Sequence, residues 1–189
     1  HVPLAARMRP RNLKEYFGQS HILSPGNLLR RAIEADRIQS LIFYGPPGTG
    51  KTSLAQVIAN QTKSKFERLS GVESNVSDMR KVLYSASNRL ANTGETTLLF
   101  IDEIHHFNKS QQDSFLPYLE NGMLQLLGAT TENPNFELNS ALLSRVLILK
   151  LNALQKKDLE TILVRLESVM KKKLPITNEA REAASKLFC

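Results

Sequence analysis

Eight consecutive residues in the first third of the chain have the pattern of a phosphate-binding loop. Gly45-Pro46-Pro47-Gly48-Thr49-Gly50-Lys51-Thr52 matches G-x-x-x-x-G-K-[ST] at every position and lies between an apolar run and a helical pattern. Glycines let successive backbone N–H groups point into one concavity, and the following helix adds the positive end of its dipole. We expect Lys51 to contact the β- and γ-phosphates of a nucleotide and the Thr52 hydroxyl to bind Mg²⁺.

A second group of polar residues follows the apolar run 98–101. Asp102 is expected to hold Mg²⁺, directly or through water, and Glu103 to orient and deprotonate an attacking water. The phosphate loop alone predicts binding, whereas Glu103 predicts hydrolysis. His105 and His106 come next. We interpret them as solvent-facing or hydrogen-bonded, because adjacent residues do not share a helix face and no metal-binding spacing is present.

Two more polar residues follow later apolar or helical segments. Thr131 ends a predicted strand, where it could hydrogen-bond the γ-phosphate or the attacking water; an ordinary strand-end hydroxyl is an equally good interpretation. Arg145 stands between a short helix and a strand. Its guanidinium could spread over charge that develops on phosphate, or form an ordinary surface salt bridge.

These side chains can act on one nucleotide only if they lie close together, which requires a sheet whose strands all end at one edge. Short apolar runs predict strands at 41–44, 97–101, 124–129 and 146–151, and a further strand is predicted at 66–69. Helical patterns are found at 27–37, with Asn27 as the cap, and at 51–60, 76–90, 155–171 and 178–187. A capping box is predicted from Ser110 to Asp113, opening a helix that Pro117 would kink or end. Strands that alternate with helices predict an α/β fold, with a parallel sheet covered on both faces.

The same pattern predicts three segments: an N-terminal arm at 1–26, a nucleotide-binding α/β core at 27–151 and a partial helical lid at 152–189.

The composition, 41% apolar and 23% charged, is that of a globular chain. No run approaches 18 apolar residues, so no transmembrane helix is predicted. Basic residues occupy the place where the apolar core of a signal peptide would be, so no signal peptide is predicted. Cys189 is the only cysteine, so an internal disulfide is excluded and a reducing compartment, the cytoplasm, is expected. The net charge of +7 is compatible with nucleic acid or with a solvated basic surface, and the same two interpretations apply to the lysines at 156–157 and 171–173.

Taken together, the motifs resemble those of AAA+ ATPases of the clamp-loader and branch-migration-motor clade, with their P-loop NTPase fold. The matching stretches are Arg9-Pro10, Tyr16-Phe17-Gly18-Gln19, the phosphate loop, LLFIDEIH at 98–105, GATTENP at 128–134 and ALLSR at 141–145. Two stretches, FNKSQQD at 107–113 and GATTENP at 128–134, are more specific. They resemble the family of replication-associated recombination protein A (RarA, or MgsA), which is related to the eukaryotic Werner-helicase-interacting ATPase. The resemblance extends from about residue 3 to 145.

The resemblance implies roles at matching positions. Thr131 would be the sensor-1 residue, Arg145 an arginine finger that acts on ATP held by a neighbouring subunit, and Ser70 the residue that restrains Glu103. The residues that would line the adenine and ribose pocket are Met8, Arg9, Tyr16, Phe17 and Gly18. Those that would bind the phosphates are Gly45, Pro46, Pro47, Gly48, Thr49, Gly50, Lys51, Thr52 and Ser53. Catalysis would fall to Lys51, Glu103, Thr131 and Arg145, and Mg²⁺ to Thr52 and Asp102.

The activity implied by the resemblance is a DNA-dependent ATPase of replication-fork maintenance, recombination and repair, using ATP and Mg²⁺. Implied partners are forked, gapped or end-containing DNA, further copies of the chain, and replication or repair proteins such as single-stranded-DNA-binding protein. The implied place is the bacterial cytoplasm, with the nucleoid, and no membrane. A clamp-loader subunit, a Holliday-junction branch-migration motor and a nucleotide-dependent protein-interaction switch remain alternatives.

Three departures from the family pattern stand out. Position 106 is His where relatives usually carry Arg, and position 147 is Leu where they often carry a second Arg. The chain also ends before the lid motif that brings the sensor-2 arginine and before the oligomerisation region. We therefore expect this chain alone to bind nucleotide and to hydrolyse it poorly.

Overall fold

The computed structural model describes residues 3–175, 177, 179 and 180. In this part of the chain, five strands form one sheet in which every strand pairing is parallel. The strands are β1 (Leu41–Tyr44), β2 (Lys65–Ser70), β3 (Thr97–Asp102), β4 (Leu124–Thr130) and β5 (Leu147–Lys150). Their order across the sheet is β2-β3-β4-β1-β5, so β2 and β5 are the outer strands. The predicted five-stranded parallel sheet is thereby confirmed.

Helices connect the strands and cover both faces of the sheet. In the described residues they are α1 (Leu4–Met8), α2 (Ser20–Leu23), α3 (Leu28–Glu34), α4 (Lys51–Gln61), α5 (Val76–Thr93), α6 (Lys109–Asp113), α7 (Leu116–Glu120), α8 (Pro134–Glu137), α9 (Ser140–Leu143) and α10 (Lys156–Met170). Short 3₁₀ turns lie at Leu13–Glu15 and Ile104–His106. The helices predicted at 27–37, 51–60, 76–90 and 155–171 are confirmed within a few residues at each end.

Successive side chains of a strand lie on opposite faces of the sheet, so the apolar side chains form two cores, one on each face. Leu98 and Phe100 of β3 pack with α3 and α4 on one face, whereas Leu99 and Ile101 pack with α5 and α9 on the other. All four side chains are almost fully buried. Because both faces are covered by apolar side chains, the polar residues that end the strands emerge only at the carboxyl edge of the sheet.

Of the two predicted helix caps, the capping box at Ser110 was wrong. Helix α6 begins after Asn108, whose Oδ1 accepts from the Gln111 backbone N–H at 2.8 Å while the Gln111 side chain accepts from the Asn108 N–H at 2.9 Å. The capping box thus starts two residues before Ser110, and Pro117 lies in the first turn of α7, where a missing N–H costs no helical hydrogen bond. Asn27 is the N-cap residue of α3, as predicted, but its side chain makes no capping hydrogen bond, and its amide donates instead to the carbonyls of Ser20 and His21.

Helix α10 is attached to the beginning of the chain by arginine side chains. The Arg165 guanidinium donates to the Glu15 carbonyl and to its carboxylate, each at 2.7 Å, and Arg7 donates to the Val169 carbonyl at 2.7 Å. The predicted helix 178–187 lies outside the described residues except for 179 and 180, which are helical. The division into arm, core and lid stays a prediction. No helix in the described part is long and apolar enough to cross a membrane.

Candidate nucleotide-binding and hydrolysis site

The phosphate loop connects β1 to α4 at the carboxyl edge of the sheet. Lys51, the first residue of α4, is only 8% exposed, and its ammonium donates to the carbonyls of Gly45 at 2.7 Å and Pro46 at 2.9 Å. Burial lowers the pKa of Lys51, and the carboxylates of Glu103 and Asp102 act in the opposite direction. The ammonium is therefore held across the loop, close to the two acidic residues.

The rest of the loop is arranged around this ammonium. Gly50 has φ +92°, and a Cβ there would lie 2.7 Å from the Tyr16 hydroxyl, so only glycine fits the turn. The buried members of the loop are Gly45 and Thr49, the exposed ones are Pro46, Pro47 and Gly48, and Thr52 and Ser53 are half-buried on the first turn of α4. The backbone thus presents an open concavity next to the start of an eleven-residue helix.

Thr52 and Asp102 meet where the loop faces the end of β3. The Thr52 hydroxyl donates to Asp102 Oδ2 at 3.3 Å. Hydroxyl and carboxylate oxygens are the hard ligands that Mg²⁺ takes, usually with water and phosphate oxygens completing its shell. The donor set therefore fits Mg²⁺. In the described part of the chain, no group of three or more His, Cys, Asp or Glu side chains could hold another metal.

An arginine that the sequence analysis did not single out shares the same carboxylate oxygen. Arg68, on β2, has its guanidinium 3.2 Å from Asp102 Oδ2 and 5.7 Å from the centre of the Phe100 ring. Its side chain is half exposed. A cation from the neighbouring strand thus lies against the proposed Mg²⁺ ligand. Strand alternation made Arg68 resemble an ordinary solvent-facing residue of an outer strand.

Glu103 follows Asp102 in a left-handed conformation, with φ +51°. Its carboxylate lies 3.4 Å from Nδ1 of His105, and the same nitrogen lies 2.8 Å from the hydroxyl of Thr130 at the end of β4. Glu103, His105 and Thr130 are thereby connected across two adjacent strands. His106 is exposed, and the centre of its ring lies 4.3 Å from that of His105, with the two ring planes tilted by 37°.

Ser70, which the resemblance placed next to Glu103, makes other contacts. Its hydroxyl accepts from the backbone N–H groups of Val72 at 3.3 Å and Glu73 at 3.2 Å, and so stabilises the turn after β2. The next residue, Gly71, approaches Glu103 instead. A Cβ at Gly71 would collide with the Glu103 carbonyl oxygen, so the turn can pass there only with glycine.

Thr131 and Arg145 are less firmly held. Thr131 is half-buried directly after β4, and its side chain has no hydrogen bond among the described residues. Arg145 is exposed; its guanidinium pairs with Glu120 and donates to the Ala141 carbonyl and the Ser144 hydroxyl at 2.8 and 3.0 Å. None of the hydrogen bonds or ion pairs found for Arg145 in the described residues involves the phosphate loop, Asp102 or Glu103.

A pocket of about 280 Å³ opens beside the phosphate loop, between the N-terminal arm and α10. Its lining includes Met8, Arg9, Tyr16 and Phe17 together with Gly48, Thr49, Gly50 and Ser53. Gly18 is not part of the lining; with φ +86° it lies against Leu154 instead. Burial raises the pKa of the Tyr16 phenol, so this side chain stays neutral and can donate to the Thr49 or Gly50 carbonyl, each at 3.4 Å.

Glu15 and Arg165 form one wall of this pocket. The pKa of Glu15 lies below its ordinary value, because its carboxylate accepts from the Arg11 backbone N–H and, secondarily, from the Arg165 guanidinium. The arm and helix α10 are thus fastened together at the mouth of the pocket.

Gln19 fastens the arm at a second point. The side chain is buried, and its amide donates to the carbonyls of Thr49 at 3.1 Å and Asn152 at 2.7 Å. Its oxygen accepts from the Asn152 N–H at 2.9 Å. Gln19 belongs to the motif at 16–19, but its residue type and spacing predicted no role for it. Its left-handed backbone, φ +58°, directs the side chain between the loop and the segment after β5.

Comparisons with known proteins show what this chain is similar to. The family model "ATPase family associated with various cellular activities (AAA)" matches residues 41–154. Replication-associated recombination protein A of Escherichia coli K12 is 54% identical over 164 residues, which are 86% of this chain and 36% of that protein. ATPase WRNIP1 of Dictyostelium discoideum is 46% identical over 87% of this chain and 19% of its own length.

Among solved structures, the Thermotoga maritima RuvB Holliday junction branch migration motor superposes with a TM-score of 0.74. It is 32% identical in sequence, over 95% of this chain and 59% of that one. The chain spans only about a third of the length of the curated relatives from Escherichia coli, Haemophilus influenzae and Coxiella burnetii.

Proposed function

Since this chain belongs to the AAA ATPases and, within them, to the family of replication-associated recombination protein A, we propose that it is the nucleotide-hydrolysing part of a DNA-stimulated ATPase acting in replication-fork maintenance, recombination and repair. The observation that carries the hydrolytic part is the convergence of Thr52, Asp102 and Glu103 beside the phosphate loop. A loop that only bound nucleotide would not need a second carboxylate at this edge.

The residues divide the work by their chemistry. Lys51 and the loop N–H groups bind the β- and γ-phosphates, while the pocket lined by Tyr16 and Phe17 takes the adenine and ribose. Thr52 and Asp102 hold Mg²⁺, which when bound neutralises charge on the phosphate oxygens. Glu103 orients a water and accepts its proton as the water attacks the γ-phosphate. Thr131 holds the γ-phosphate or that water.

Arg145 acts on the ATP of another subunit in this proposal. Its exposed position and its attachment to surface groups of its own chain support this, because a side chain that served its own phosphate loop would be bound there. Several copies of the full-length protein would then assemble with each ATP between two chains. Loss of the γ-phosphate would release that arrangement and convert hydrolysis into movement.

DNA as the partner is supported by the net charge of +7 and by the printed names of the relatives, which refer to replication-associated recombination. Forked or gapped DNA, further copies of the chain and single-stranded-DNA-binding protein complete the proposed set of partners. Work on such DNA would place the protein with the bacterial nucleoid, in the cytoplasm.

The test is ATP turnover by the full-length protein, with and without forked or gapped DNA, beside the variant Glu103→Gln. We expect strong stimulation by DNA that vanishes in the variant, while the variant still binds ATP. Turnover that is robust but indifferent to DNA would contradict the proposal and favour a nucleotide-dependent switch directed at proteins.

One specific observation favours a second candidate. The similarity to RuvB covers 95% of this chain, and that protein is a Holliday junction branch migration motor. ATP-dependent movement of a four-way junction by the full-length protein, in the absence of any other motor, would support this alternative over fork maintenance. Stimulation by gapped DNA without junction movement would speak for the first proposal.

A further inference from the structure

His105 lies between the Glu103 carboxylate and the Thr130 hydroxyl, which differ in how deeply they are buried. Its Nδ1 lies 2.8 Å from Thr130 Oγ1 and 3.4 Å from Glu103 Oε2. The imidazole is 12% exposed, whereas the Glu103 side chain is 34% exposed. Thr130 is fully buried at the end of β4. The ring therefore connects a partly exposed carboxylate to a residue of the sheet core.

The proton on this ring can be assigned from its surroundings. A carboxylate only accepts hydrogen bonds, so a bare Nδ1 lone pair facing Glu103 would be unfavourable. With the proton on Nδ1, the ring donates to Thr130 and attracts the Glu103 carboxylate. The Thr130 oxygen also accepts from the Glu132 backbone N–H at 3.0 Å, so its place is fixed from two sides. We assign the Nδ1–H tautomer.

Glu103 needs such a contact because no other hydrogen bond or ion pair of its carboxylate is found in the part of the chain that the structure describes. Its backbone leaves the strand in the left-handed region, and its carboxylate is carried by a side chain with three rotatable bonds. Ser70, which could have restrained it, is bound to the turn after β2. A general base must stay within hydrogen-bond reach of its water, so a freely rotating carboxylate would spend much of its time out of position.

We propose that His105 is the positioning residue of Glu103, with Thr130 as its anchor. His105 holds the carboxylate toward the site of the attacking water and ties its direction to the end of β4, one residue before Thr131. The inference rests on the proposed role of Glu103 as the general base and deepens it. His105 itself does not contact the nucleotide in this arrangement.

The first experiment compares two amides in place of the imidazole. In His105→Asn the amide nitrogen takes the place of Nδ1, whereas in His105→Gln it reaches the place of Nε2. We expect His105→Gln to lower kcat about 10- to 100-fold, part of the 10²–10⁴-fold that a general base contributes. KM and the affinity for nucleotide should stay within about twofold, because no phosphate or base contact is lost. His105→Asn should recover most of the lost turnover.

Two controls separate positioning from a general loss of structure. His106→Gln changes the exposed neighbouring imidazole and should leave kcat and the thermal midpoint unchanged. Thr130→Val keeps the shape of the anchor but removes its acceptor, and should reproduce the kcat loss of His105→Gln. Equal losses in the Asn and Gln variants, together with weaker nucleotide binding or a lower midpoint, would show a structural role and overturn the inference.

A double-variant cycle keeps the inference apart from the proposed function. If His105 acts only through Glu103, adding His105→Gln to Glu103→Gln should cause no further loss of turnover. If Glu103→Gln retains full turnover, the assignment of the base fails and the inference fails with it. If Glu103→Gln is inactive while His105→Gln turns over normally, the inference alone is wrong. All variants are measured in the full-length protein with DNA present.

Discussion

The edge of the sheet around Lys51 and the loop that carries Arg145 each carry a cation for which we propose a contact with phosphate, but the two cations are held in different ways. Lys51 is buried, and its ammonium is bonded to two carbonyls of its own loop. Arg145 is exposed and is held by Glu120 and by its own helix end. One cation is placed by the fold of a single chain, whereas the other is left on the surface.

The difference teaches which steps one chain can complete. The nucleotide binding that we propose depends on the loop, Thr52 and Asp102, which contact one another within this chain. The proposed stabilisation of charge during hydrolysis depends on Arg145, which has no such contacts in the described residues. Binding should therefore be a property of each copy, and full turnover a property of the assembly.

The largest effect is expected from Lys51→Ala. The substitution removes a buried charge that crosses the loop, so nucleotide binding and turnover should both be abolished, even in a single copy. Titration with a fluorescent ATP analogue measures the affinity, and Lys63→Ala, which removes an exposed lysine, serves as the control. If Lys51→Ala still bound nucleotide, binding would not depend on the buried lysine, and the contrast with Arg145 would fail.

Arg145→Ala should come next. Arginine fingers contribute about 10³–10⁵-fold to turnover in other nucleotide hydrolases, so the assembled protein should lose about 10³-fold. Nucleotide affinity of the single chain should not change. Mixing Arg145→Ala with Glu103→Gln subunits sharpens the test, because each can supply what the other lacks and some turnover should return. Equal turnover with and without Arg145 would remove the finger assignment.

A smaller effect is expected at Arg68, which lies against Asp102 on the side of the site that this chain builds by itself. The Arg68 guanidinium competes with Mg²⁺ for the Asp102 carboxylate, and partly exposed ion pairs of this kind are worth about 0.2–1 kcal/mol. Arg68→Gln should therefore lower the Mg²⁺ concentration for half-maximal ATP binding by up to about 5-fold. Arg80→Gln changes an exposed arginine away from Asp102 and should leave the Mg²⁺ requirement unchanged. A higher requirement in Arg68→Gln would mean that Arg68 assists the site instead of competing for it.

The smallest effect concerns Glu120, which holds Arg145 on its own chain. Both side chains of this pair are well exposed, so releasing the arginine by Glu120→Gln should raise turnover about twofold at protein concentrations where assembly is incomplete. The control is Glu137→Gln on α8, another exposed carboxylate. A fall in turnover would show that Glu120 orients Arg145 for the neighbour rather than retaining it.

Much of this architecture could be predicted from the sequence, because burial leaves a direct trace there. The run Leu41 to Tyr44 is apolar because β1 is covered on both faces, and its predicted bounds agree with the structure. The phosphate loop was predictable because its glycines and Lys51 occupy fixed spacings. The misplaced capping box was a choice between two adjacent patterns, and Asn108 with Gln111 prevailed over Ser110 with Asp113.

The contacts that tune the site were not predictable in the same way. His105 meets Thr130 only because β3 and β4 are neighbours in the sheet, and no spacing along the chain records that pairing. Sequence reasoning placed Thr131 at the tip of the strand, whereas the hydroxyl that joins the network belongs to Thr130, the last residue of β4. Arg68 likewise reaches Asp102 across the pairing of β2 with β3.

The position of β2 and β5 as outer strands affects how the chain behaves at high concentration. An outer strand presents unpaired backbone groups that can template the strand of another molecule. Three of the six residues of β2, Lys65, Glu67 and Arg68, are charged and discourage such pairing, whereas β5 reads Leu-Ile-Leu-Lys and leaves Leu147 41% exposed. Self-association of the isolated chain should thus begin along β5, and a single charged residue at position 147 should keep the chain in solution longer.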